Sequence, residues 1–535
     1  MGGNKLKREI GPIGLVALAV SGMIGSGWLF APLLAAQLAG PAAILAWIIG
    51  AFAMLLLALT FGEISAMFPL PGGIASIPQV THGNVVSIAM GWTAWLGYLM
   101  TAPVEVEATL RYLSGSAPWL YQGDSIEVLS TSGSLVALGF MVVFVILNAL
   151  GVKLFAYINT GVTWIKFLVP ILIVIMVVST SFEPGNFVQY GGFAPNGIGG
   201  ILGAISSGGV ILSMIGFRHA VDMAGEVRNP GRTIPAALMV AMLISLVMYL
   251  GLQIAFVGAL PSDALTDGWS GLHFTHQGGP LASLATALGL LWLVSLMNTT
   301  AILSPFGSAL VAVGANARLV LAMTGTRFMP HIFGKLSRFG VPFYALLLNL
   351  VIGWFAVWLL PFSKLVATHS SLVVLSFIVG PIAVVALRTL AADYPRPFRL
   401  PCVTLVGYTT FVLATLIVYW SGWETMRVIG LAMIVGAIIF VIRIPGMGGQ
   451  NLHFRQAAWL IPYMTGVGMV SFLGEFGGIG LLSDGIDVLV CAGIGAATFW
   501  YAVRSTISQA HFDKQAEDVQ AEIGIDEAVL DNIEI

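Results

Sequence analysis

The sequence predicts an all-α polytopic membrane protein of about fourteen transmembrane helices, from its charge, its apolar runs and the placement of its basic residues. Of 535 residues, 58% are hydrophobic and 9% charged, with 22 Lys and Arg against 24 Asp and Glu. Soluble domains average about 25% charged residues, and a soluble chain this long would need several polar surfaces. So little charge excludes a soluble enzyme, a disordered chain and a nucleic-acid binder with a basic face. Aromatics at 10%, with 64 Gly and 21 Met, suit helices packed closely in lipid.

A membrane-crossing helix needs about 20 mainly apolar residues. Runs of that kind lie near 12–37, 41–67, 84–112, 134–151, 157–180, 198–225, 234–260, 288–323, 341–360, 364–390, 404–423, 426–444, 456–476 and 485–504. With the N-terminus inside, seventeen Lys and Arg, from Lys5 to Lys514, fall on the inner side. Only Arg111, Lys364 and Arg427 fall outside, where Asp124, Glu127, Glu183, Asp263, Asp267, Glu424, Glu475, Asp484 and Asp487 collect instead. This positive-inside bias predicts a multi-pass protein of the cytoplasmic (cell inner) membrane, with both termini in the cytoplasm. The first run is too long for a signal peptide and precedes no soluble domain, so it reads as helix one. Cys402 and Cys491 are isolated and read as packing residues. Residues 1–11 form a cytoplasmic N-terminus, and 505–535 an acidic tail that is either a short amphipathic regulatory helix or simply solvated.

Two spans are interruptible. Span one reads Val20-Ser21-Gly22-Met23-Ile24-Gly25-Ser26-Gly27-Trp28-Leu29-Phe30, and each glycine weakens a helix by about 1 kcal/mol relative to alanine. Span six carries Gly208-Gly209, then Ser213-Met214-Ile215-Gly216-Phe217-Arg218-His219-Ala220-Val221-Asp222. Glycines also serve as helix-packing contacts. However, matched broken helices at the start of two five-helix units point to the binding site of an inverted-repeat transporter. Unwound backbone survives at mid-membrane only where it lines a cavity. The freed amides of Gly25, Ser26 and Gly27 would take an anion such as a carboxylate. Carbonyls left by the inner half of helix one and the outer half of helix six would take a cation or ammonium.

Four motifs, in order over roughly residues 10–445, carry a resemblance: Ser21 to Phe30, Glu63 to Gly73, Ala224 to Pro235, and Ala317 to Met323 with Met329-Pro330. They resemble the amino acid–polyamine–organocation transporters. The resemblance implies the LeuT-type fold, a ten-helix core at 12–390 made of two inverted five-helix repeats (about 12–180 and 198–390). Four additional C-terminal helices would fill 391–504. It also implies alternating access to one central site. The substrate carboxylate would meet the amides of Ser26 and Gly27, and its amine the carbonyls of Met23, Leu212 and Ile215. Phe217 would be an aromatic gate.

Charges inside the spans are the remaining candidates, because lipid tolerates them only in a polar cavity. Lys166, in Thr163-Trp164-Ile165-Lys166-Phe167-Leu168-Val169-Pro170, sits mid-span. Sodium-independent relatives carry a helix-five lysine where sodium-coupled ones hold the ion, so the match favours protons or exchange. Arg218 and His219 depart from the family's common pattern, which has an acidic or small residue here. Arg218 either pairs with Asp222, four residues on, or receives a second substrate carboxylate. A subgroup resembling bacterial aspartate:proton symporters carries a basic residue at this position. Glu105 shares a helix face with Tyr98, Thr101 and Thr109 and could titrate during transport. Some proton-coupled relatives place that acid nearer the inner end, where this chain has Gly97. Glu107 reads as paired with Arg111, and Glu63 as structural.

The sequence therefore predicts a secondary carrier of an amino acid, acidic such as aspartate, with proton symport; exchange of neutral or other amino acids is the alternative. Lys166, Glu105, His219 and Asp222 are the coupling candidates. Partners are the amino acid, protons and the bilayer, with no nucleic acid, cofactor or metal expected. A membrane-embedded enzyme is disfavoured, since the eight histidines show no metal-binding spacing. A channel would lack two matched broken helices, and no ATP-binding motif supports primary transport.

Overall fold

Proline and glycine decide where the helices begin and break. The computed structural model describes residues 10–68, 73–122, 128–150, 152–272, 279–337, 340–447, 452–483 and 485–523. Lys5, Lys7, Arg8, Asp124, Glu127, Arg338, Asp484, part of the second family motif, the Lys153 side chain and the tail beyond Ile523 lie outside the described residues. Pro12 opens α1 (Pro12–Met23) at a position that needs no amide partner. After a break comes α2 (Gly27–Ala39), and Gly40, at φ 59°, turns the chain into α3 (Ala43–Met67). The short α4 (Gly73–His82) leads to α5 (Asn84–Leu99) and α6 (Thr101–Leu113), two parts of one span. Next are α7 (Thr131–Leu150), α8 (Val152–Thr180) and the broken run α9 (Gly197–Ser207), α10 (Val210–Met214) and α11 (Arg218–Asp222). The chain continues through α12 (Pro230–Ala259), α13 (Pro280–Ala287), α14 (Leu291–Gly325), α15 (Phe343–Leu359), α16 (Phe362–Phe377) and α17 (Val379–Leu390). Last are α18 (Val403–Trp420), α19 (Trp423–Arg443), α20 (Phe454–Ala457), α21 (Leu460–Leu473), α22 (Ile486–Arg504) and α23 (Gln509–Ile523).

The described residues form no strand, and helix coincides with each of the fourteen apolar runs. Nine helices among them are long and apolar enough to cross a bilayer, ten if the pair bent by 47° at Gly208-Gly209 is one span. The expected count of fourteen crossings is therefore not confirmed, although helix lies on every predicted run. The core is built where α12 packs on α3 and α1, α6 on α14, and α5 on α16. Residues 365–387 are buried throughout. By contrast α19 exposes a stripe of Leu431, Ile434, Ile438 and Ile442. A soluble surface would not carry that stripe, and lipid would cover it.

Two features tie one end of the bundle together. Glu63, fully buried in α3, accepts hydrogen bonds from Arg388 Nη2 (2.8 Å), Arg396 Nη1 (3.3 Å) and the Leu400 amide (2.7 Å). Removing one partner of a buried ion cluster costs about 3–5 kcal/mol, and the partly exposed arginines place this one near the lower figure. Glu63→Gln is expected to lower the thermal unfolding midpoint in detergent, and an unchanged midpoint would show that the cluster adds nothing. The second feature is α23, which makes the described part of the tail a helix. Its Phe512 and Ala516, one turn apart, are buried, with the Phe512 ring edge-on to Phe68 and Tyr394. The Ile507 amide donates to the Thr81 carbonyl (3.0 Å) and Gln509 Nε2 to that of Leu390 (2.9 Å). Burial, with Asp513 and Glu517 nearby, pushes the Tyr394 hydroxyl up.

Cys491 is buried, as expected of a packing residue, but Cys402 is exposed at φ 46° just before α18, so the packing expectation fails there. Glu107 does meet Arg111, at 3.6 Å.

Candidate functional site

The site lies where the two broken helices cross. Helix one stops at Met23 and resumes at Gly27, leaving Ile24, Gly25 and Ser26 outside regular helix. Helix six stops at Ser207, restarts as α10, tightens into a 3-10 turn at Ile215–Phe217 and continues as α11. The backbones touch: a Cβ on Gly216 would overlap the Gly22 carbonyl carbon and the Met23 amide. Side chains from the intact helices satisfy part of the freed backbone. Tyr249 Oη donates to the Met23 carbonyl (2.7 Å) and Ser304 Oγ to that of Gly25 (3.1 Å). The Met23 carbonyl therefore already holds one hydrogen bond, with its second lone pair left for a ligand.

A cavity lies at this crossing. Of the expected binding residues, Met23, Gly25, Gly27, Leu212, Ile215 and Arg218 line it, as do Lys166, Glu105 and His219 from the coupling set. Ser26 lies behind this lining, next to Gly25, which the Glu105 carboxylate reaches. Phe217 turns away and packs on Phe377, ring centroids 5.2 Å apart. Asp222 also lies off the cavity wall. Thr101, expected on the face of Glu105, lines it, and Ser308 and His369 do so without having been singled out in the sequence.

The charges in the cavity are arranged unevenly. Arg218 is 3% exposed, and its guanidinium carbon sits 3.4 Å from the centroid of the Tyr98 ring, a cation–π stack. Among the described residues no carboxylate comes within 4.0 Å of it, so the pairing with Asp222 does not form. Its Nη1 has no hydrogen-bond partner. Lys166, 1% exposed, donates to Ser308 Oγ at 2.8 Å. It closes no ion pair with Glu105 within 4.0 Å. His369 Nδ1 donates to the Gly97 carbonyl at 2.6 Å. A Cβ on Gly97 would come within 3.0 Å of Val373, so a larger side chain there would need Val373 to shift. The lining offers two cations, one carboxylate and a helix N-terminus, which suits a small zwitterion bearing extra negative charge. Among the described residues no three His, Cys, Asp or Glu side chains converge as metal ligands.

Comparison with known proteins gives a consistent answer. The profile of a family described as "Amino acid permease" matches residues 10–442. The chain is 32% identical over 532 residues to the glutamate/serine transporter AimA of Bacillus subtilis, covering 97% of this chain and 98% of that one. It is 34% identical over 503 residues to the aspartate-proton symporter of the same organism, covering 92% and 95%. A branched-chain amino acid permease, BcaP, is 23% identical over 451 residues, covering 82% and 94%.

Proposed function

The chain belongs to the amino acid permease family of the amino acid–polyamine–organocation superfamily, and we propose that it carries an acidic amino acid into the cell together with a proton. It is a multi-pass transporter rather than an enzyme. The observation that carries the substrate class is the unpartnered guanidinium nitrogen of Arg218 in the central cavity. A buried charged donor without an acceptor is costly, and a substrate side-chain carboxylate would supply that acceptor bidentately. The names of two relatives, one a glutamate/serine transporter and one an aspartate-proton symporter, agree with this reading.

In this reading the amides of Ser26 and Gly27 hold the α-carboxylate, and the carbonyls of Met23, Leu212 and Ile215 hold the ammonium. Lys166, bonded to Ser308, stands in the place that the family resemblance gives to a sodium ion in sodium-coupled relatives. Glu105, His219 and Asp222 are the groups that move protons. The core is the LeuT-type pair of inverted five-helix repeats at about 12–180 and 198–390, in the cytoplasmic membrane with both termini inside.

Uptake of radiolabelled aspartate into proteoliposomes tests the proposal. Uptake should saturate with substrate, proceed without sodium and rise when an inward proton gradient is imposed. Strict dependence on sodium would overturn the role given to Lys166, and indifference to the proton gradient would leave exchange as the mechanism.

A further inference from the structure

The proposed seat for the α-carboxylate already has an occupant from the protein itself. The Glu105 carboxylate reaches the break in helix one beside Gly25, the residue before Ser26. Its Oε1 takes up the space a Cβ on Gly25 would need, with its Cδ 3.2 Å and Ser308 Oγ 3.4 Å from the same point. Ser26 is the N-cap of α2, whose first amides have no partner within the helix and whose dipole favours an anion. A second observation is independent of the helix end. Ser26 Oγ and Glu105 Oε2 belong to residues 1% and 4% exposed, and neither completes a hydrogen bond. One carboxylate thus sits at the seat with polar capacity on both sides unspent.

We propose that Glu105 and the substrate's α-carboxylate compete for the Ser26 seat, so that an amino acid binds there only as Glu105 gives up its negative charge. Two carboxylates cannot share one helix N-terminus beside a single ammonium. When the α-carboxylate arrives, it replaces Glu105 as the negative partner of the amides and of Lys166. The charge at the seat is then unchanged only if Glu105 has taken up a proton, which becomes an acid that can donate to Ser26 Oγ or Ser308 Oγ. Binding and protonation are two sides of one exchange, and the proton is bound to travel with the substrate.

The titratable and charged groups facing Glu105 are Lys166 from α8, Arg218 and His219 from the broken sixth helix, Tyr249 from α12, His369 from α16 and Tyr98 from its own span. Among the described residues no other carboxylate lines the cavity. The proposal rests on the reading of Ser26 and Gly27 as the α-carboxylate seat and is independent of what Arg218 does with the side chain.

Calorimetric titration of purified protein with aspartate and with serine, at acidic and alkaline pH, tests it. Wild type should bind both more weakly as pH rises, taking up roughly one proton per ligand in weakly buffered solution. Glu105→Gln, uncharged but of the same shape, should bind both at least about tenfold more tightly than wild type at alkaline pH, with the pH dependence gone. A variant that loses affinity at both pH values would overturn the proposal, because Glu105 would then be holding the substrate's ammonium. So would a variant that keeps the wild-type pH slope, and so would the absence of proton uptake by wild type, a measurement that does not depend on the variant folding. A wild type that binds serine in this way but not aspartate would overturn the acidic-substrate reading alone.

Discussion

Arg218→Ala is expected to lose about 100-fold or more in affinity for aspartate and glutamate, while binding alanine and leucine with little change. The size follows from the chemistry of the contact. A hydrogen bond to a charged group contributes about 1.5–3 kcal/mol, and a bidentate pair therefore reaches about 100-fold. Arg218 lines the cavity, is almost fully buried and is met by no carboxylate among the described residues. Arg218→Lys should recover only part of the loss, because an ammonium cannot copy the planar fork. Asp222→Ala should barely change selectivity, since no ion pair joins it to the guanidinium. Competition binding of aspartate, asparagine, alanine and leucine decides the matter. Equal loss across all four, or no preference for the acid in wild type, would leave a carrier of amino acids without charge selectivity.

The second large effect concerns the crossing of the broken helices. Gly216→Ala should abolish measurable substrate binding and lower the unfolding midpoint, because its Cβ would land on the backbone of Gly22 and Met23. Overpacking of a fitted core costs about 1–3 kcal/mol, and here relief requires moving the segment that carries the binding amides. Gly27→Ala is the control. Its Cβ would meet the Ser213 hydroxyl and the Tyr249 hydroxyl at 3.2 Å, and Ser213 Oγ can rotate aside. That variant should keep its fold and lose binding only in part. If Gly216→Ala binds like wild type, the two backbones are not the fulcrum of the site.

The parts of the fold and site that were legible in the sequence share one physical cause, the high cost of polarity in lipid. Lys166, Glu105 and Arg218 stood out because charge at mid-span must have a cavity, and all three line one. Gly22, Gly25, Gly216 and the Gly208-Gly209 pair marked the breaks because glycine weakens a helix. The same logic was silent on Ser308 and His369. Hydroxyls in spans commonly bond back to their own helix, as Ser370 does to Val366 and Ser376 to Val373. Which polar side chain faces the cavity is then decided by long-range packing. Spacing misled at Arg218 and Asp222. They are four apart, but α11 is a single turn hinged on a 3-10 turn, and the guanidinium reaches across to Tyr98 instead. Phe217, beside Arg218 in sequence, is turned onto Phe377 by one step of the helix. The nearness of Val373 to Gly97 is visible only in three dimensions.

The stack of Arg218 on Tyr98 has an evolutionary consequence. At that wall of the cavity, charge and bulk belong to the same group, so they cannot drift separately. A lineage that exchanged the arginine for a small neutral residue would lose its electrostatic selectivity and, in the same step, uncover an aromatic face and the volume above it. The freed space would accept a larger apolar side chain. Under the proposed role of Arg218, a change to a small neutral residue at this position would alter charge and volume together.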